Sequence, residues 1–79
     1  MHYVYMLESL SEPDRIYVGI TTDLRRRWRE HNSGKVIHTS KHLPWRVKTY
    51  LAFSDRDQAY KFERYLKSAS GRAFAKKRF

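Results

Sequence analysis

The spacing of apolar positions changes along the chain, and each change predicts an element. Residues 2–8, HYVYMLE, and 15–20, RIYVGI, are rich in β formers, and the SLSEPD between them carries Pro and turn formers. Together they predict an antiparallel hairpin. From Thr22 or Asp23, either of which can cap a helix, the spacing turns helical to about Asn32, and Gly34 stands where a C-terminal glycine stops it. Residues 35–44, KVIHTSKHLP, have no period and are expected to be an irregular loop. WRVKTYLAF, 45–53, alternates and predicts a third strand. Ser54 or Asp55 caps a helix over 56–68, and a break at Ser70-Gly71 precedes a short last helix. The order is ββαβα with a short C-terminal helix. It predicts an α/β (α+β) sandwich, a small three-stranded sheet covered by helices, as one domain over residues 1–79. There are too few alternations for a doubly wound parallel sheet.

Within these elements some polar side chains fall where core residues belong. On the second strand Ile16, Val18 and Ile20 share the face expected to point into the core, which leaves Tyr17 and Gly19 on the other. Gly19 removes bulk beside Tyr17, and Tyr3 and Tyr5 share one face of the first strand. A cross-strand aromatic pair accounts for these residues without any function. On the first helix Leu24, Arg27, Trp28 and His31 form one stripe, with Leu24 and Trp28 as anchors and Arg27 and His31 on its margin. A snorkelling arginine and a histidine favoured by the helix C-terminus would explain the pair structurally. On the next helix Ala59, Phe62 and Leu66 point inward with Glu63 beside them. Lys67, four residues on, is its natural charge partner, and a carboxylate kept for a hard divalent cation is the sharper alternative.

Charge adds a partner. Seventeen Lys and Arg against eight Asp and Glu give a formal net charge of +9, the balance of a domain that meets a polyanion. Arg25, Arg26 and Arg29 point away from the buried stripe and suit phosphate oxygens. No basic amphipathic helix with an unbroken apolar face appears, so a membrane is not the expected partner. The chain has no cysteine, which excludes disulfides and thiolate metal sites, and its four scattered histidines lack zinc spacing. No secretory signal pattern is present and the apolar run Tyr3–Leu7 is too short for a bilayer, so the expected location is the cytoplasm.

Taken together, Tyr3-Val4-Tyr5, Tyr17-Val18-Gly19, Arg27, His31 and Glu63, in this order on a ββαβα layout, resemble the GIY-YIG endonuclease family. The resemblance covers essentially the whole chain, and DLRRRWREHNSG is similar to compact bacterial members related to the nuclease module of the excision-repair endonuclease. Three positions depart from the family pattern. Tyr3 replaces the first glycine of the name, no asparagine follows Asn32, and Ile20 stands where some repair members have lysine.

The resemblance implies hydrolysis of DNA phosphodiester bonds, with repair or recombination intermediates among the substrates. It implies one Mg²⁺ or Mn²⁺ at Glu63, weakly held without DNA because a lone carboxylate makes a poor standing site. Tyr17 would accept a proton from water. An unperturbed phenol of pKa ~10 is only about 0.1% ionised at neutral pH, a deficit of roughly 4 kcal/mol that the surroundings must offset. Tyr5 would hydrogen-bond Tyr17 or the water, Arg27 would stabilise charge on the phosphate, and His31 would orient a tyrosine or move a proton. In the loop Thr39, Lys41 and Arg46 are expected to lie against phosphates. Lys67, Arg72, Lys76 and Lys77 would add nonspecific affinity. Two other readings stay open: a nucleic-acid-binding module on the same scaffold with weak or no catalysis, and an interaction domain whose tyrosines only pack. A protein partner that supplies targeting is also left open.

Overall fold

Tyr3 to Leu7 is an apolar run without alternation, the pattern of a strand covered on both sides. In the computed structural model, which describes residues 1–79, that run lies in the middle of the sheet. The elements are β1 (His2–Ser9), β2 (Ile16–Thr21), α1 (Leu24–Asn32), β3 (Trp45–Phe53), α2 (Arg56–Lys67) and α3 (Ala69–Arg78). Both outer strands pair antiparallel to β1, in the order β2-β1-β3. Lys48 is the extra residue of a bulge, because Met6 faces Thr49 while Leu7 faces Val47. The fold is the α+β sandwich expected from the sequence.

The two sheet faces bury different chemistry. Val4 and Met6 meet Ala59 and Leu66 of α2 and Ala75 of α3, with Val18, Ile20, Phe53 and Phe62 around them. On the opposite face Tyr5, Leu7 and Trp45 form a second core with Tyr17, Leu24, Trp28, Leu43 and Val47. Polar bonds fasten α1 to the start of β3. Asn32 Oδ1 accepts from Trp45 N at 2.7 Å, while Asn32 Nδ2 and Trp28 Nε1 each donate to Trp45 O at 2.9 Å. Trp45 Nε1 in turn donates to Thr39 O at 2.9 Å, which ties the connecting loop to the same anchor.

Capping sets the helix limits. Asp23 Oδ1 accepts from Arg26 N and Asp55 Oδ1 from Asp57 N, so the aspartate is the cap in each predicted pair. Gly34, at φ 80°, takes the left-handed position after α1. Three expectations need correction. The last helix begins at Ala69, because Ser68 Oγ caps it through Gly71 N at 3.1 Å. Gly71 is therefore a helical residue and not a break. A Cβ there would overlap the Tyr65 carbonyl, so glycine serves the close approach of α3 to the end of α2. Ile16 is 39% exposed and does not join the core, since it ends the edge strand. The connecting loop is not wholly irregular either, for it holds a 3₁₀ turn at Ser40–His42.

Candidate active site

The hairpin register assembles the first part of the site. Tyr5 lies opposite Gly19, and Leu7 opposite Tyr17. The Tyr5 phenol lies across Gly19, where a Cβ would overlap its Oη and Cζ. Glycine is thus required by a neighbouring side chain and not by backbone conformation. α1 then brings His31 over both tyrosines. Its ring centroid is 4.8 Å from that of Tyr17 and 5.8 Å from that of Tyr5, and the two phenol rings are 6.3 Å apart.

A buried chain of hydrogen bonds runs through this cluster. Tyr5 Oη is 2.9 Å from His31 Nε2, and His31 Nδ1 is 2.9 Å from Thr39 Oγ1. Tyr5, His31 and Thr39 are each at most 1% exposed. His31 therefore lies at the centre of the buried stripe and not on its margin. Burial, reinforced by the Arg27 guanidinium, lowers its pKa to about 4, so the ring is neutral at neutral pH. Burial likewise pushes the Tyr5 phenol up to about 12. Thr39 Oγ1 donates to Val36 O at 3.5 Å and so accepts from His31 Nδ1–H, which leaves Nε2 to accept from the protonated Tyr5 phenol. Between the two roles expected of His31, this arrangement supports orientation of a tyrosine.

Arg27 stands at the mouth of the cluster with its side chain 35% exposed, and its Nη1 donates to Glu30 Oε1 at 3.1 Å. Arg27 in turn holds the Glu30 carboxyl below its ordinary range. Glu30 is not among the site residues expected from the sequence, although its i,i+3 and i,i+4 spacing from Arg27 and Arg26 carries the signal. Thr39 needs a correction as well. It is fully buried against His31, so its hydroxyl is closed to a phosphate on the surface.

Glu63 is carried by α2, the helix packed on the opposite sheet face. It is 8% exposed on α2, and its ion-pair partner is Lys67, with no hydrogen bond to either tyrosine, Arg27 or His31. Lys67 is the link, because it also lines a groove of about 930 Å³ that includes Tyr17. Lys48, Arg72 and Lys76 line that groove too and outnumber its two carboxylates, Glu8 and Asp14. No three His, Cys, Asp or Glu side chains converge anywhere in the fold. By its donor set Glu63 can give a hydrated divalent ion a single carboxylate.

The remaining basic residues separate by their partners. Arg26 faces Glu30 at 3.7 Å and Arg46 Nε donates to Glu8 at 2.7 Å, so both are partly neutralised. Arg25 and Arg29 have no acidic partner, and Lys41, Lys76 and Lys77 are exposed. No helix is long and apolar enough to cross a membrane.

Comparison with known proteins identifies the family of the chain. A UPF0213 protein of Cupriavidus necator is 43% identical over 76 residues, covering 91% of this chain and 80% of that protein. A structure-specific endonuclease subunit SLX1 homolog of Giardia intestinalis is 38% identical over 65 residues, 77% of this chain but 18% of the longer protein. The solution NMR structure of the UPF0213 protein BH0048 from Bacillus halodurans superposes with a TM-score of 0.57 at 36% identity, covering 95% of this chain and 79% of that one. The family model of the GIY-YIG catalytic domain matches residues 1–78. With two tyrosines, a guanidinium and a buried histidine gathered on one sheet face, the chain belongs to the GIY-YIG family of nucleases.

Proposed function

We propose that this protein is an endonuclease that hydrolyses DNA phosphodiester bonds with the help of Mg²⁺ or Mn²⁺, on substrates that include repair or recombination intermediates. The observation that carries the reading is the fixed Tyr5–His31–Thr39 chain beneath Tyr17, beside Arg27 and on the border of a cationic groove. Tyr5 has committed its proton to His31. Tyr17 is the phenol left to take a proton from water, and packing on the His31 ring fixes its position. Arg27 offers a guanidinium fork to the phosphate oxygens, and Glu30 holds that fork in place. When bound, a divalent ion would supply positive charge at the scissile phosphate. Glu63 is its ligand from this chain, with DNA phosphate and water completing the shell.

The test is a panel of labelled single-stranded, duplex and branched DNA with Mg²⁺, Mn²⁺ or chelator. Metal-dependent cuts are expected, and Tyr17→Phe or Glu63→Gln should slow them by about two orders of magnitude or more while DNA binding persists. Binding with a steep salt dependence but no cut on any substrate would make the protein a binding module instead.

A further inference from the structure

A second cleft lies on the α1 side of the sheet, and the site just described does not use it. Tyr3, Trp28, Val47 and Tyr50 give it an aromatic floor and wall, and Arg25 and Arg29 stand at its rim. Tyr50 is 54% exposed on the open part of the sheet face, with its ring edge-on to Tyr3 at 6.1 Å. The arginines are the telling feature. Arg26 and Arg27 share Glu30, whereas Arg25 and Arg29, one turn apart, have no acidic partner. The cleft's one carboxylate, Asp23, is taken up in capping α1.

From this we infer that the cleft between α1 and β3 binds an unpaired nucleotide strand, with a base stacked on Tyr50 and the backbone phosphates on Arg25 and Arg29. Aromatic faces accept any base once it is unstacked, and guanidinium groups without a partner are free for phosphate. A paired duplex keeps its bases inside and offers Tyr50 nothing to stack on. The cleft therefore favours DNA with single-stranded character next to the cut. Trp28 is positioned by its bond to Trp45 O and serves as a fixed wall.

The inference rests on the nuclease reading only for its substrate class, so binding is measured apart from cleavage. Affinity for a labelled oligothymidylate and for a blunt duplex is read by anisotropy in chelator, with circular dichroism confirming that each variant is folded. Tyr50→Ala should weaken single-strand binding about tenfold, with duplex binding unchanged, and Tyr50→Phe should retain the affinity of the parent. Arg25→Gln and Arg29→Gln should each lower the salt slope by about one ion. Full single-strand affinity in Tyr50→Ala, or an equal loss on duplex, would overturn the inference. Loss of cleavage across the panel, with this pattern of binding intact, would overturn the nuclease reading alone.

Discussion

The two faces of the sheet have been built for different tasks. Beneath α2 and α3 the contacts are aliphatic and aromatic carbon, Val4 and Met6 against Ala59, Leu66 and Ala75. Such contacts are non-directional and tolerate exchange of one apolar group for another of similar volume. Beneath α1 the same central strand presents Tyr5 to a buried histidine and threonine, and the polar atoms there have fixed partners at 2.9 Å. An unpaired donor or acceptor in that layer costs more than a lost methyl contact, so its geometry is specified more sharply. One face supplies stability and the other supplies position. In so small a chain they share one strand.

That contrast can be broken on purpose. Leu66→Ala, on the apolar face, should cost about 3 kcal/mol of stability in urea unfolding, and the cleavage rate per folded molecule should fall far less than in Tyr17→Phe. An equal fall in that rate at low denaturant would show that the faces are coupled. On the other face His31 gives stability a pH dependence. Its pKa falls from 6.5 to about 4 on folding, so between those values the unfolded chain binds a proton that the folded chain does not. Stability from this source is present above pH 6.5 and is lost as pH falls toward 4, by about 3 kcal/mol in all. Urea titrations across that range should show the slope, and His31→Gln should remove it. Gly19→Ala is the smallest of these changes, at about 2 kcal/mol from overpacking against Tyr5. It should also disturb the Tyr5–His31 bond, and a downfield phenol O–H resonance that persists unshifted in the variant would contradict this.

Much of the molecule is legible in its sequence. Strand alternation over 45–53, the Pro-bearing turn after Leu10 and the capping aspartates are local signals, and each predicted element is present. Ser70-Gly71 misled because the same glycine that ends a helix also permits close helix packing, and only the position of Tyr65 tells the two apart. His31 and Thr39 misled for a related reason. A polar residue at a helix end or in a loop reads as solvent-facing until a partner from elsewhere in the chain is found, and here Tyr5 stands 26 residues from the histidine it bonds. Arg25 and Arg29 read in sequence like Arg26. The difference between them is whether a carboxylate stands within reach.

The sequence by itself determined the elements, their order, the basic character and which side chains were candidates for chemistry, because periodicity, caps and charge are properties of neighbours along the chain. Tertiary structure decided which candidates share a site. It buried Thr39 behind His31, set α2 with its Glu63 on the sheet face opposite Tyr5 and His31, and left Arg25 and Arg29 without partners. Those outcomes depend on register, on the crossing of helices over the sheet and on the loss of water from particular atoms. No local stretch of chain encodes any of the three.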